Sequence, residues 1–304
     1  METFLTLLID IILPIFIMIV VGFAAQKLLK MEVRTFTKLN MHVFVPSLLF
    51  TKIYETQITW QLFGNVLIYI LSICAIMFIL GEIVSRLLKY PQCTKKAFVN
   101  SLLFFNSGNY GLPLVELAFK NSPVATTAQI FIMFIQNITS NTFGVFQACA
   151  GNVGYKKALK NVFAMPSMFV LLVVIPIKVF QLQVPEFIML PLHNISGGFV
   201  AFALITLGVQ LAEVKVAFNL KNIFVTSIIR LVLSPLCGLL LVNLLGIQGI
   251  LAKSLIIGVA TPTAVNTAII AKEFNNEPEY ASQIVFATTI LSAITIPVIL
   301  YLMG

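Results

Sequence analysis

The amino-acid sequence predicts an all-α integral membrane protein of ten transmembrane helices, built as two inverted five-helix repeats with the fourth and ninth helices broken. Three observations carry that prediction. Of the 304 residues 59% are hydrophobic and only 10% are charged, with a mean hydropathy of +1.02, whereas a soluble domain carries roughly 25% charged residues. The apolar residues fall into ten runs of about the length needed to cross a hydrocarbon core, separated by short loops. Two of these runs, in corresponding places of the two halves, are interrupted by polar, helix-breaking stretches, 106–113 (Asn-Ser-Gly-Asn-Tyr-Gly-Leu-Pro) and 258–266 (Gly-Val-Ala-Thr-Pro-Thr-Ala-Val-Asn).

The candidate spans lie at 4–26, 36–53, 63–88, 96–119, 124–149, 158–181, 188–211, 221–245, 249–271 and 281–302. The first carries Glu2 and Asp10 rather than a basic start, and its apolar run outlasts a signal-peptide core, so it reads as an uncleaved span. Basic residues concentrate in the loops after odd-numbered spans: Lys27 to Lys38, Arg86 to Lys96, Lys156 to Lys160, Lys215, Lys221 and Lys272. The other side holds Lys52, Lys120, Lys178 and Lys253. The positive-inside rule therefore puts both termini outside. The formal net charge of +8 follows from this topology, and no nucleic-acid partner is expected. Cys74, Cys149 and Cys237 lie in apolar segments and Cys93 in a basic loop, so neither a disulfide nor a metal site is expected.

Five spans on either side of the basic turn at 151–160 make the second half start from the opposite face, so a repeat of 1–150 in 151–304 is inverted. Pro14 matches Pro166, and the broken fourth span matches the broken ninth. The fifth span carries Asn137, Asn141 and Gly144 on one face, and the tenth carries Thr288, Ser292 and Thr295 on another. Isolated prolines at 14, 46, 166 and 235 read as kinks. The two breaks read differently, because each clusters polar residues with proline at corresponding positions, the pattern of a secondary-transporter substrate site. Unwound backbone in hydrocarbon costs several kcal/mol per unpaired group, so it persists only where protein or a wet cavity satisfies it.

Pro113 suits the first turn of a new half-helix, and Pro262 divides the ninth span in the same way. Each new half-helix aims free N–H groups and the positive end of its dipole at the break, which favours a carboxylate. The candidate binding residues are Asn106, Ser107, Gly108, Asn109, Gly111 and Pro113 in the first break, Thr261, Pro262, Thr263 and Asn266 in the second, and Asn137 and Asn141 on the fifth span. Capping of freed backbone is the alternative role for the same amides and hydroxyls. Arg230, roughly 13 Å into the eighth span at helical rise, either binds a carboxylate or neutralises Glu82 of the third span, and the pairing is favoured. Glu116 either carries a coupling proton or faces water, and His42 and His193 sit at the two interfaces. A proton or a sodium ion is a possible coupling ion, and no other cofactor is expected.

The run 106–114 (Asn-Ser-Gly-Asn-Tyr-Gly-Leu-Pro-Leu), with 260–266 (Ala-Thr-Pro-Thr-Ala-Val-Asn) leading to 271–275 (Ala-Lys-Glu-Phe-Asn), resembles the auxin efflux carrier family of permeases over essentially the whole chain. The resemblance implies the fold shared with bile-acid transporters, in which spans 1, 2, 6 and 7 form a scaffold and spans 3–5 and 8–10 a moving core whose fourth and ninth helices cross at their breaks. It also implies carboxylate binding at Asn106 and by the backbone around Pro113 and Pro262, and it makes a homodimer plausible. Two departures, Thr263-Ala264 after Pro262 and the absence of a long hydrophilic central loop, resemble the bacterial branch assigned to malate or malonate. The expected function is transport of a small organic anion, and the alternative is a membrane sensor that binds the anion without net flux. An enzyme is not expected, since the chain has no His-Glu-x-x-His or Gly-x-Ser-x-Gly motif, and without a P-loop it is not an ATP-driven pump.

Overall fold

In the computed structural model, which describes residues 4–56, 60–120, 122–148, 166–214 and 220–304, the chain is helical throughout apart from a single isolated antiparallel bridge among those residues. In chain order the helices are α1 (Phe4–Leu29), α2 (33–55), α3 (Trp60–Leu87), α4 (Gln92–Leu103), α5 (107–118), α6 (123–148), α7 (Pro166–Val179), α8 (Glu186–Gly197), α9 (Phe199–Leu211), α10 (Asn222–Leu244), α11 (Gly249–Ala260), α12 (Val265–Glu273) and α13 (Pro278–Met303). They follow the apolar runs of the sequence, of which 149 and 158–165 lie outside the described residues.

Among the described residues four helices, α1, α3, α10 and α13, are long and apolar enough to cross a membrane in one piece. A fifth is counted if α8 and α9, bent by 41° at Gly198, are taken as one span. The sequence reading placed no break there. The Gly198 N–H reaches back to the carbonyls of Asn194 and Ile195, which ends α8. In contrast, α4 and α11 have 12 residues each, about 18 Å of rise, too short to cross a core of about 30 Å.

Three of the four prolines expected to kink a helix, Pro14, Pro46 and Pro235, and Pro113 of the first break follow a widened turn, whereas the segment before Pro166 lies outside the described residues. Wide π-turns over Leu8–Ile12, Asn40–Phe44, Ser107–Gly111 and Ile229–Leu233 come immediately before Leu13-Pro14, Val45-Pro46, Leu112-Pro113 and Ser234-Pro235. A proline ring lacks an N–H and crowds the carbonyl four residues back, and a widened turn relieves that crowding within a continuous helix.

Packing is closest between α1 and α9. A Cβ added to Gly22 would stand 2.1 Å from the Ile205 carbonyl oxygen, and one added to Gly208 would stand 2.0 Å from that of Ile19. Backbone meets backbone here, so α1 and α9 pack as one unit. A larger apolar core, including Val66, Ile73, Phe98, Ile132, Leu255 and Ile284, joins α3, α4, α6, α11 and α13. Ile17 and Val20 of α1, Leu172 of α7 and Leu240 of α10 are exposed, as lipid-facing positions should be when the surrounding solvent is hydrocarbon.

Candidate functional site

The two breaks meet. Phe105 and Thr263 form the antiparallel bridge, with the Asn106 N–H donating to the Pro262 carbonyl at 2.8 Å and the Ala264 N–H to the Phe104 carbonyl at 2.9 Å. Phe104, Thr261 and Ala264 are extended, so each broken segment supplies the other with the backbone partners that helix would have supplied. Side chains fix the crossing from all sides. Thr263 donates through Oγ1 to the Ser101 carbonyl at 2.9 Å, and its N–H reaches Thr288 Oγ1 at 3.2 Å. Thr261 Oγ1 donates to the Gly258 carbonyl at 2.8 Å, and Ser292 donates to the Tyr110 hydroxyl at 2.9 Å.

Gln129 of α6 lies between the breaks. Its Nε2 donates to the Ser107 carbonyl at 2.7 Å. A Cβ on Gly111 would stand 2.5 Å from Nε2, and one on Gly258 2.8 Å from Oε1, so both glycines are needed for this close approach.

Arg230, fully buried, does not pair with Glu82. Its Nε donates to the Thr261 carbonyl at 3.1 Å, Nη1 to the Leu102 carbonyl at 3.0 Å, and Nη2 to the Val259 carbonyl. The guanidinium also stacks over Phe105, 4.8 Å from the ring centre. It therefore caps the C-terminal ends of both α4 and α11. Glu82 belongs to a different cluster, 2.7 Å from Lys95 and 3.1 Å from Arg86.

On another side of the crossing lies a cavity of about 150 Å³. The first turns of α5 (Ser107, Gly108, Asn109) and α12 (Val265, Asn266) both open into it, together with Asn106, Asn137 and Asn141. Gly111, Pro113, Thr261, Pro262 and Thr263 do not line it. They form the crossing behind it, with Pro113 in the first turn after the π-segment of α5. Asn106 is 6% exposed, and its Nδ2 has no hydrogen-bond partner among the described residues.

Further lining residues escaped the sequence reading: Asn40, Gln136, Ser140, Ser167 and Gln210. Asn40 Nδ2 donates to Asn109 Oδ1 at 2.7 Å, and Asn266 Nδ2 to Ser140 Oγ at 2.9 Å. Carboxamides in otherwise apolar runs were the available signal. No charged side chain lines the cavity among the described residues. Gly144, grouped with Asn137 and Asn141 by helical spacing, instead abuts Phe104, and its carbonyl accepts from Asn100 at 3.1 Å, since the π-turn over Ser140–Gly144 shifts the face.

A vestibule of about 690 Å³, bordered by Arg34, Glu213, Lys272 and Glu273, shares Thr37, Gln210, Val265 and Ile269 with the cavity. It lies at the Arg34 end of α2. At the other end of α2, Lys52 meets Glu116 of α5 at 3.5 Å. Glu116 is thus buried and ion-paired rather than facing water. His42 contacts the Lys38 carbonyl at 3.0 Å, and His193 lies 3.3 Å from Glu55.

Apolar spanning helices with two breaks paired over a polar cavity are the architecture of a membrane transporter. The chain belongs to the membrane transport protein family, whose model matches residues 7–163 and 161–300, and the resemblance to auxin efflux carriers falls within that family. It is also similar to an uncharacterized transporter of Methanocaldococcus jannaschii, with 22% identity over 297 residues that cover 94% of this chain and 96% of that protein.

Proposed function

We propose that the protein is a secondary transporter that moves a small organic anion, a mono- or dicarboxylate such as malate or malonate, by exposing the central cavity alternately to the two sides. One observation carries this reading: both half-helix N-termini open into the cavity, while both opposing C-termini are capped by Arg230. Each helix end carries roughly half a unit charge. The two C-terminal ends together are then about −1, which one buried guanidinium cancels. The two N-terminal ends remain, about +1 in sum, beside the unpartnered Asn106 amide. A carboxylate suits that field, and the surrounding carboxamides suit its hydroxyl or second carboxyl group.

The moving parts are assigned by the same reasoning. Taking α1, α2 and α7–α9 as scaffold, and α3–α6 and α10–α13 as core, several of the major packing pairs have a mate under exchange of the two halves. The pair α1 with α9 mirrors α7 with α2; α4 with α13 mirrors α11 with α6; α3 with α10 is its own mate. This supports two inverted five-span repeats. The vestibule at the basic-rich end of α2 supports a cavity open toward the cytoplasm, with the opposite side closed by Lys52 and Glu116.

The test is ligand stabilisation of the purified protein. Malate or malonate at a hundred times its Kd should add about 2.7 kcal/mol to stability, and the corresponding uncharged amides should add nothing. Equal stabilisation by the neutral amides would remove the anionic substrate from the account.

A further inference from the structure

We propose that the groove between α10, α11 and α13 is a binding site for an anionic phospholipid, with one acyl chain along its apolar walls and the headgroup phosphate at Lys253. The groove has a volume of about 610 Å³. Leu231, Leu239, Ile256, Ile294 and Val298 are among its walls, and α10 and α13 are both spanning helices. It therefore borders hydrocarbon, where water does not compete for an apolar recess. From Leu231 to Asn243, α10 rises roughly 18 Å, about the depth of one leaflet in a core of about 30 Å.

The polarity runs along this length in the order a lipid requires. Apart from Thr295, the polar lining residues are Asn243 in the last turn of α10, Gln248 in the turn that follows and Lys253 in the first turns of α11. Lys253 is half-buried and has no ion-pair or hydrogen-bond partner among the described residues. Lys52, Lys95, Lys178, Arg86 and Arg230 all have one. A partnerless cation at the mouth of an apolar groove matches an anionic head above an apolar tail. Its long stem lets the ammonium reach the headgroup level. A second copy of the chain would offer no such gradient unless it carried a carboxylate at the same depth.

The experiment is native mass spectrometry of the detergent-purified full chain, titrated with an equal mixture of phosphatidylglycerol and phosphatidylcholine of identical chains. The expected result is a first bound lipid that is phosphatidylglycerol by at least fivefold. That preference should persist in Lys253→Arg and disappear in Lys253→Gln, and Val298→Trp, which fills the groove, should lower binding of both lipids. Equal binding of the two lipids by the native chain, or an unchanged preference in Lys253→Gln, would overturn the proposal. So would a lipid-free dimer that dissociates in Val298→Trp.

Discussion

The guanidinium of Arg230 and the carbonyl of Thr261 are joined at 3.1 Å, 31 residues apart in the chain, at the point where α11 ends and the second break begins. The same side chain reaches Leu102 at the end of α4. One residue thus ties both broken helices together.

Replacing Arg230 with Met should destabilise the protein by about 3 kcal/mol or more, because three buried carbonyls lose their donor and each costs about 1–3 kcal/mol. Thermal unfolding in detergent reads this directly. The loss should not be relieved by Glu82→Gln, and the two effects should add to within about 0.5 kcal/mol, as for residues in separate networks. Rescue by Glu82→Gln would mean that the two charges pair.

Asn106→Ala should leave folded yield intact, since the backbone N–H keeps its bond to Pro262 and the side-chain amide has no partner to lose. Ligand affinity should fall about tenfold, equivalent to about 1.4 kcal/mol. Calorimetric titration with malonate measures it, and loss of folded protein would instead assign the side chain to the crossing's architecture.

Gly208→Ala should be severe. The added methyl lands on the Ile19 backbone, which cannot move aside as a flexible side chain does. Overpacking of this kind costs about 1–3 kcal/mol even where side chains can adjust, so a loss at or above the top of that range is expected in detergent melts. Gly64→Ala, with open space around its Cβ, is the control.

Cysteines placed at Lys52 and Glu116 and joined by a short cross-linker should stop transport reversibly while preserving ligand binding from the Arg34 side, because that pair bridges α2 and α5. Flux that continues in the cross-linked protein would show that these two helices do not separate.

Much of this was legible in the sequence for a local reason. Proline with clustered polar residues, as at Asn109 to Pro113 and Thr261 to Asn266, cannot continue an apolar helix, so both breaks were visible without a structure. What the breaks do to each other was not. The pairing of Phe105 with Thr263 is tertiary, and backbone carbonyls, the real partners of Arg230, leave no mark in a sequence, so a carboxylate was the natural guess. Asn40 and Gln210 stand in apolar spans with no proline beside them, so nothing local marks them as part of a break. Gly197-Gly198 reads as ordinary membrane glycine, although the chain bends by 41° there.

The most direct measurement is uptake of labelled malate, malonate and an indole acid into liposomes holding the purified protein, with pH and sodium gradients varied separately. The account predicts saturable, anion-selective flux that falls about tenfold in Asn106→Ala at limiting substrate, and the gradient that drives accumulation identifies the coupling ion. Anion binding with no flux under any gradient would contradict it and make the protein a sensor.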